Sequence, residues 1–153
     1  MTAIDDVLVH FAEKAKKSHY PLEGCSENEI QELEQFAGSP LPQAYVKFLR
    51  LAGRNSAAVT IGTDCYYPLI LELREVAVEL LAEAPRPSIL PDNMFVFSMH
   101  QGYAFCCFPL DEGEDPPVYR FIQHIDDFTG LRLAVPTFSE YLEGLLHPTK
   151  VKD

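Results

Sequence analysis

Only three residues, His100-Gln101-Gly102, separate two apolar runs, Met94 to Met99 and Tyr103 to Pro109. A parallel crossover needs a dozen or more residues, so strands joined this closely must lie antiparallel. A third β-prone run, Pro117 to Gln123, follows the turn-forming segment Asp111-Glu112-Gly113-Glu114-Asp115-Pro116 and extends the pair into an antiparallel meander. Gly102 is expected to take a positive φ in the tight turn, where a missing Cβ removes the steric penalty. Shorter strands are predicted over Val59 to Ile61 and Cys65 to Leu69, around the breaker Gly62-Thr63-Asp64.

Helical periodicity occupies the remaining segments. Ile4, Val7, Leu8, Phe11, Ala12 and Ala15 recur at helical spacing and predict an amphipathic helix over about 3–17, with Lys14, Lys16 and Lys17 at its negative end. Ser26-Glu27-Asn28-Glu29 has the spacing of a capping box, and Gly38 is expected to end the helix it opens. Pro42 suits the first turn of a third helix, which carries Tyr45, Phe48, Leu49 and Ala52 on one face and is expected to stop at a left-handed Gly53. Leu73, Val76, Ala77, Leu80, Leu81 and Ala84 predict a fourth, interrupted by Pro85 and Pro87. Thr137-Phe138-Ser139-Glu140 repeats the capping-box spacing ahead of Tyr141, Leu142, Leu145 and Leu146, with Pro148 closing the last helix.

With no internal repeat or linker, residues 1–153 read as a single α+β domain, a mostly antiparallel sheet flanked by helices that share one core. Leu33, Tyr45, Phe48, Phe97, Phe105 and Leu142 are its expected anchors. Tyr66, Tyr67, Tyr103 and Tyr119 are expected in the sheet core first, with interface anchoring as the alternative.

Charge and motif content narrow the function. A chain of this length can fold without disulfides or metal. Twelve Lys and Arg stand against 23 Asp and Glu, and a net charge of −11 repels phosphate backbones, so no nucleic-acid partner is expected. No apolar run approaches the roughly 18 residues of a membrane span, and Asp5, Asp6 and Glu13 interrupt the region where a leader would be apolar. Neither membrane nor export is expected, which leaves the cytosol. Cys25, Cys65, Cys106 and Cys107 lack zinc-ligand spacing and read as reduced thiols, Cys106 and Cys107 pointing to opposite faces of a strand. No phosphate loop, metalloprotease helix, nucleophile elbow or EF-hand loop is found, so no catalytic residue, cofactor or metal is assigned. A Cys/His pair, for example Cys106 or Cys107 with His100, would have to be assembled by the fold, and core packing of the thiols is the simpler reading.

Three groups remain as candidate partner-binding residues. Asp111, Glu112, Glu114 and Asp115 place four carboxylates in five residues without the alternating ligands of a calcium loop. They read first as a solvated hairpin tip and second as an acidic docking loop. Glu72, Glu75, Glu79 and Glu83 line the other side of the fourth helix, where like charges repel and no lysine neighbours them, so a cationic partner is the second reading after a solvated face. Tyr66 and Tyr67 offer apolar area with a polar tip. Between the acidic groups the loop is favoured, because a flexible hairpin can enter a recessed cationic cleft.

Several runs carry a family resemblance: Glu29-Ile30 through Leu33-Glu34, Leu41-Pro42 with Tyr45, and Phe48-Leu49 before Gly53. Further along come Leu90-Pro91-Asp92 through Phe95-Val96-Phe97, His100-Gln101-Gly102-Tyr103 with Phe105, Pro116-Pro117-Val118-Tyr119, and Phe138-Ser139-Glu140-Tyr141-Leu142. In this order, over about residues 24–147, they resemble the SMI1/KNR4 family, also called the SUKH superfamily. The chain departs from the family pattern in having no Trp and in placing Arg54 after Gly53. The resemblance implies an α+β fold and a non-enzymatic immunity protein that binds and neutralises a cognate bacterial toxin, often a nuclease. The implied partner is a protein, basic where the toxin is a nuclease. An acidic interaction scaffold or regulatory module is the alternative, and an uncharacterised hydrolase a distant third.

Overall fold

The computed structural model describes residues 3–147. Helices α1 (Ala3–Lys16), α2 (Glu27–Ala37), α3 (Gln43–Ala52) and the single turn α4 (Ala57–Thr60) precede a two-residue strand β1 (Thr63–Asp64). A 3-10 turn, Leu69–Glu72, runs into α5 (Leu73–Glu83). Strands β2 (Met94–His100), β3 (Ala104–Pro109), β4 (Val118–Ile122) and β5 (Arg132–Val135) follow, then α6 (Phe138–Leu146). The five strands form one antiparallel sheet in sequence order. The predicted meander is therefore present, and Gly102 turns it with φ 76°.

Local signals formed as their chemistry dictates. Ser26 and Glu29 close a complete capping box, and Gly38 ends α2 in the left-handed region at φ 72°. Thr137 accepts the Glu140 N–H at the start of α6. Pro148 lies outside the described residues.

The structure departs from the local reading in four places. Gly53 ends α3 in a right-handed conformation, φ −65°. Its reason is space, since a Cβ there would lie 2.5 Å from Cys25 Sγ. The predicted strand over Val59 to Ile61 is instead the helical turn α4, held because the Ser56 carbonyl accepts the Val59 and Thr60 N–H groups and the Thr60 hydroxyl. Cys65 to Leu69 forms no strand either, and pairing is confined to Thr63 and Asp64. The unpredicted strand β5 pairs along β4 with a register shift that leaves Ala134 without a partner residue.

The sheet divides the interior into two clusters rather than the one shared core expected. On one face α1, α2, α3 and α6 pack Phe11, Leu33, Tyr45, Phe48, Leu49, Phe138 and Leu142 against Phe95, Phe97 and Phe108. On the other, α5 lays Leu73, Ala77, Leu80 and Leu81 over Val96, Met99, Phe105 and Phe121. All six expected core anchors are buried. None of the four tyrosines expected in the sheet core is: Tyr66 and Tyr103 are exposed, and Tyr67 and Tyr119 half-buried.

Alternation along β3 sends Cys106 to the first cluster and Cys107 to the second. Burial raises both thiols, Cys107 to about 12, and also raises Cys65. Cys25 rises to about 11 through burial first and Glu29 second. A thiol raised this way forms little thiolate near neutral pH. Native protein at pH 8 should therefore resist thiol-specific reagents for minutes, while all four cysteines react at once in denaturant. Rapid labelling of any one of them in the native state would refute the packing described.

Candidate functional site

The chemistry of a nucleophilic site is not assembled. His100 stands opposite Ala104 and its Nδ1 lies 3.0 Å from the Thr63 hydroxyl, whereas Cys106 and Cys107 stand opposite Ser98 and Val96. Among the described residues no group of three or more His, Cys, Asp or Glu side chains converges to hold a metal ion. No described helix is long and apolar enough to cross a membrane.

The acidic loop is tied down at both ends. Asp111 Oδ1 accepts the Asn93 amide at 2.9 Å. Glu114 caps α3: its Oε1 accepts the Gln43 N–H at 3.3 Å, and its carbonyl accepts the Ala44 N–H at 2.9 Å. Pro42, the residue at the cap position, has no side-chain group for that task. Asp115 serves α6 likewise, accepting the Ser139 N–H at 2.9 Å and the Ser139 hydroxyl at 2.6 Å. Two of the four loop carboxylates thus sit at helix N-termini, where the exposed N–H groups and the macrodipole favour an anion. Glu112 is exposed.

Glu72, Glu75, Glu79 and Glu83 are all exposed along the 3-10 turn and α5, and none of them forms an ion pair among the described residues. Glu75 and Glu79 border a hollow of about 530 Å³ between α2 and α5, whose floor is Phe36, Leu71 and Val78. Past Phe36 and Arg74 the hollow continues into a narrower one, about 170 Å³, along Asp92, Met94 and Leu110. The two hollows form one furrow, and Asp111, the first residue of the acidic loop, follows the lining residue Leu110 in sequence.

The floor of this furrow is apolar and open: Phe36 is 46% exposed and Val78 43%. Glu32 stands one helical turn before Phe36 on α2. Its carboxylate accepts the Tyr67 hydroxyl, which pushes that phenol up to about 12. Glu75, Glu79 and Asp92 line the furrow, and its lining cation is Arg74. That guanidinium is engaged, donating to the Met94 carbonyl at 2.6 Å and the Pro91 carbonyl at 3.3 Å, with Asp92 at 4.0 Å. The field over the furrow therefore attracts cations.

Tyr66 lies elsewhere, in a hollow with Arg54, Asp64 and Gln101 whose charges balance. Tyr67 bridges the two regions, its ring under the Arg54 guanidinium at 5.5 Å and its hydroxyl on Glu32. Phe36 and Asp92 were missed from the sequence. The signal available was Phe36 at position i+3 from Leu33 on α2, a spacing that reads as core, whereas the fold leaves Phe36 exposed on the hollow beside α5.

Residues 24–144 match the family model described as SMI1 / KNR4 family (SUKH-1). No curated protein matches the chain.

Proposed function

The chain belongs to the SMI1 / KNR4 family (SUKH-1), and from that premise we propose that it is an immunity protein which binds and neutralises a cognate bacterial toxin, using the acid-rimmed furrow between α2 and α5. The family is generally of non-enzymatic immunity or regulatory type. The observation that carries the reading is an open apolar floor, Phe36, Leu71 and Val78, inside a rim of carboxylates. An apolar centre supplies the desolvated contact that dominates binding energy, and the surrounding charges steer the encounter.

Such a rim suits a toxin whose own site must be cationic, as a nuclease's phosphate-binding cleft is. The anchoring of Glu114 and Asp115 to helix ends moves the weight of recognition from the loop to α5 and Asp92. A rigid helix face also loses less entropy on docking than a loop that must be ordered.

The test looks for a neighbouring gene that encodes a secreted protein with a C-terminal toxin domain, and pairs the protein with that domain. Glu75→Lys, Glu79→Lys and Asp92→Lys together should slow association about 10- to 100-fold, flatten its salt dependence and abolish protection, with circular dichroism unchanged. Reversing Glu112 alone should change the rate about twofold or less. Full affinity and protection after the triple reversal would overturn the assignment of the furrow.

A further inference from the structure

The furrow opens onto the edge of the sheet. Helix α2 packs on one face and α5 on the other, and Met94, Phe95 and Val96 of β2 line the narrower hollow between them. The strand on that side of β2 is β1, only two residues long. It pairs with Met99 and His100, so among the described residues the stretch from Met94 to Ser98 has no neighbouring strand there.

The ladder fixes which backbone groups face the hollow. Along an antiparallel pair, residues bonded to the neighbouring strand alternate with residues turned away from it. The Asn93 carbonyl accepts the Leu110 N–H at 2.8 Å, and the register then runs from Met94 opposite Pro109 to Val96 opposite Cys107. Asn93 and Phe95 therefore bond toward β3, while Met94 and Val96 turn their N–H and carbonyl groups away. Met94 bears this out: its N–H donates to the Pro91 carbonyl at 3.1 Å, and its carbonyl accepts Arg74 at 2.6 Å. Val96 has no such partners. The register shift comes after it, and among the described residues no turn or side-chain hydrogen bond reaches its N–H or carbonyl. Its side chain packs in the cluster under α5, while its backbone donor and acceptor face the hollow as a matched, unused pair. Unpaired backbone groups in so buried a residue cost free energy that a partner strand would recover.

We propose that the toxin docks by an extended segment that adds to the open edge of β2, exchanging main-chain hydrogen bonds with Val96. The proposal rests on the furrow being the toxin surface. Strand addition draws affinity from such main-chain bonds and specificity from alternate side chains. Successive side chains of a strand point to opposite faces, so one set meets Phe36 and Ala37 of α2 and the other meets α5, with the exposed Glu75 and Glu79. The segment is therefore apolar at alternate positions with Lys or Arg between them. Arg74 closes one end of the open stretch at Met94 and β1 closes the other at Met99, which leaves room for about four residues at about 3.3 Å each. The β2 edge of a second copy is recessed between the same two helices and cannot enter.

Amide hydrogen exchange, followed by NMR on the full isotopically labelled chain alone and saturated with the toxin domain, tests this. In the free protein the Val96 N–H should exchange at least about 100-fold faster than that of Phe95, at a rate independent of protein concentration. In the complex it should slow by about 100-fold or more, and a coupling across the new hydrogen bond should join the Val96 nitrogen to a labelled toxin carbonyl. A Val96 N–H as slow as that of Phe95 in the free protein would overturn the proposal, as would one that slows with rising concentration because another edge of a second copy pairs there. A complex that shifts the Glu75 and Glu79 signals while Val96 exchange stays unchanged would also overturn it; the toxin then lies on the furrow without pairing, and the furrow assignment stands. Full protection by the triple Lys variant with Val96 still slowed by toxin strikes the acidic rim and leaves the pairing in place. Absence of any complex with the toxin domain overturns both.

Discussion

Replacing Phe138 by alanine is expected to lower the unfolding free energy by about 3–5 kcal/mol, a large part of the roughly 5–15 kcal/mol that holds a domain together. Phe138 is fully buried at the start of α6 and touches rings from three other elements. Its ring centroid lies 5.5 Å from Tyr45, 6.0 Å from Phe48, 5.4 Å from Phe97 and 5.9 Å from Phe108, mostly edge-on. Edge-to-face pairs add to the transfer free energy of the buried ring. The neighbours are rigid aromatics fixed to α3, β2 and β3, so the hole left by alanine cannot collapse. Urea titration gives the magnitude, and a loss below about 1 kcal/mol would mean that the site closes and that the ring cluster is not what joins α6 to the sheet.

The second large effect is expected from a single methyl group. A Cβ on Gly24 would stand 1.8 Å from the Arg50 carbonyl oxygen and 2.6 Å from its carbon, both backbone atoms of α3. No rotamer relieves that contact. The segment must withdraw from α3, breaking the Cys25 N–H bond to the Leu49 carbonyl at 2.8 Å and the bridge between Glu23 and Asn55. Gly24→Ala should therefore destabilise by more than about 3 kcal/mol or prevent soluble expression, since overpacking and a lost buried hydrogen bond add. Gly144→Ala provides the contrast. Nothing lies within 4 Å of its Cβ in α6, and it should stabilise by about 0.5–1 kcal/mol through helix propensity. Equal melting temperatures for the two variants would refute both arguments.

What was legible in the sequence was what residues a few positions apart decide. The Ser26 to Glu29 capping box, the left-handed Gly38 and the turn at Gly102 need no distant partner. The β2–β3 pairing follows from a connection too short for anything else. Strand β5 was invisible because Arg132, Leu133 and Ala134 are exposed, so no burial alternation marks them; backbone pairing with β4 defines the strand. Val59 and Thr60 have strand-forming side chains, yet Ser56 captures their N–H groups into a helical turn. The acidic residues were visible, but their division of labour was not. Glu114 reaches across 71 positions to cap α3 and Asp115 across 24 to cap α6, while Glu75, Glu79 and Asp92 come beside Phe36 only once the fold brings them to shared hollows. Composition reports that charge is present, and only the fold decides which charges are already used.

The pairing of α1 with α6 has a consequence for how the chain comes to be folded. Ile4, Val7 and Phe11 leave the ribosome before Phe138, Leu142 and Leu146, their neighbours in the same cluster, which follow some 130 residues later. At about 5–20 residues per second the apolar stripe of α1 waits several seconds for its cover. Until then α3 supplies part of the cover, Phe48 meeting Phe11 edge-on at 5.8 Å, and the rest of the stripe is a target for chaperones. The first native structure to form should thus be the locally connected β2–β3–β4 meander, with closure of the two ends as the last and slowest step.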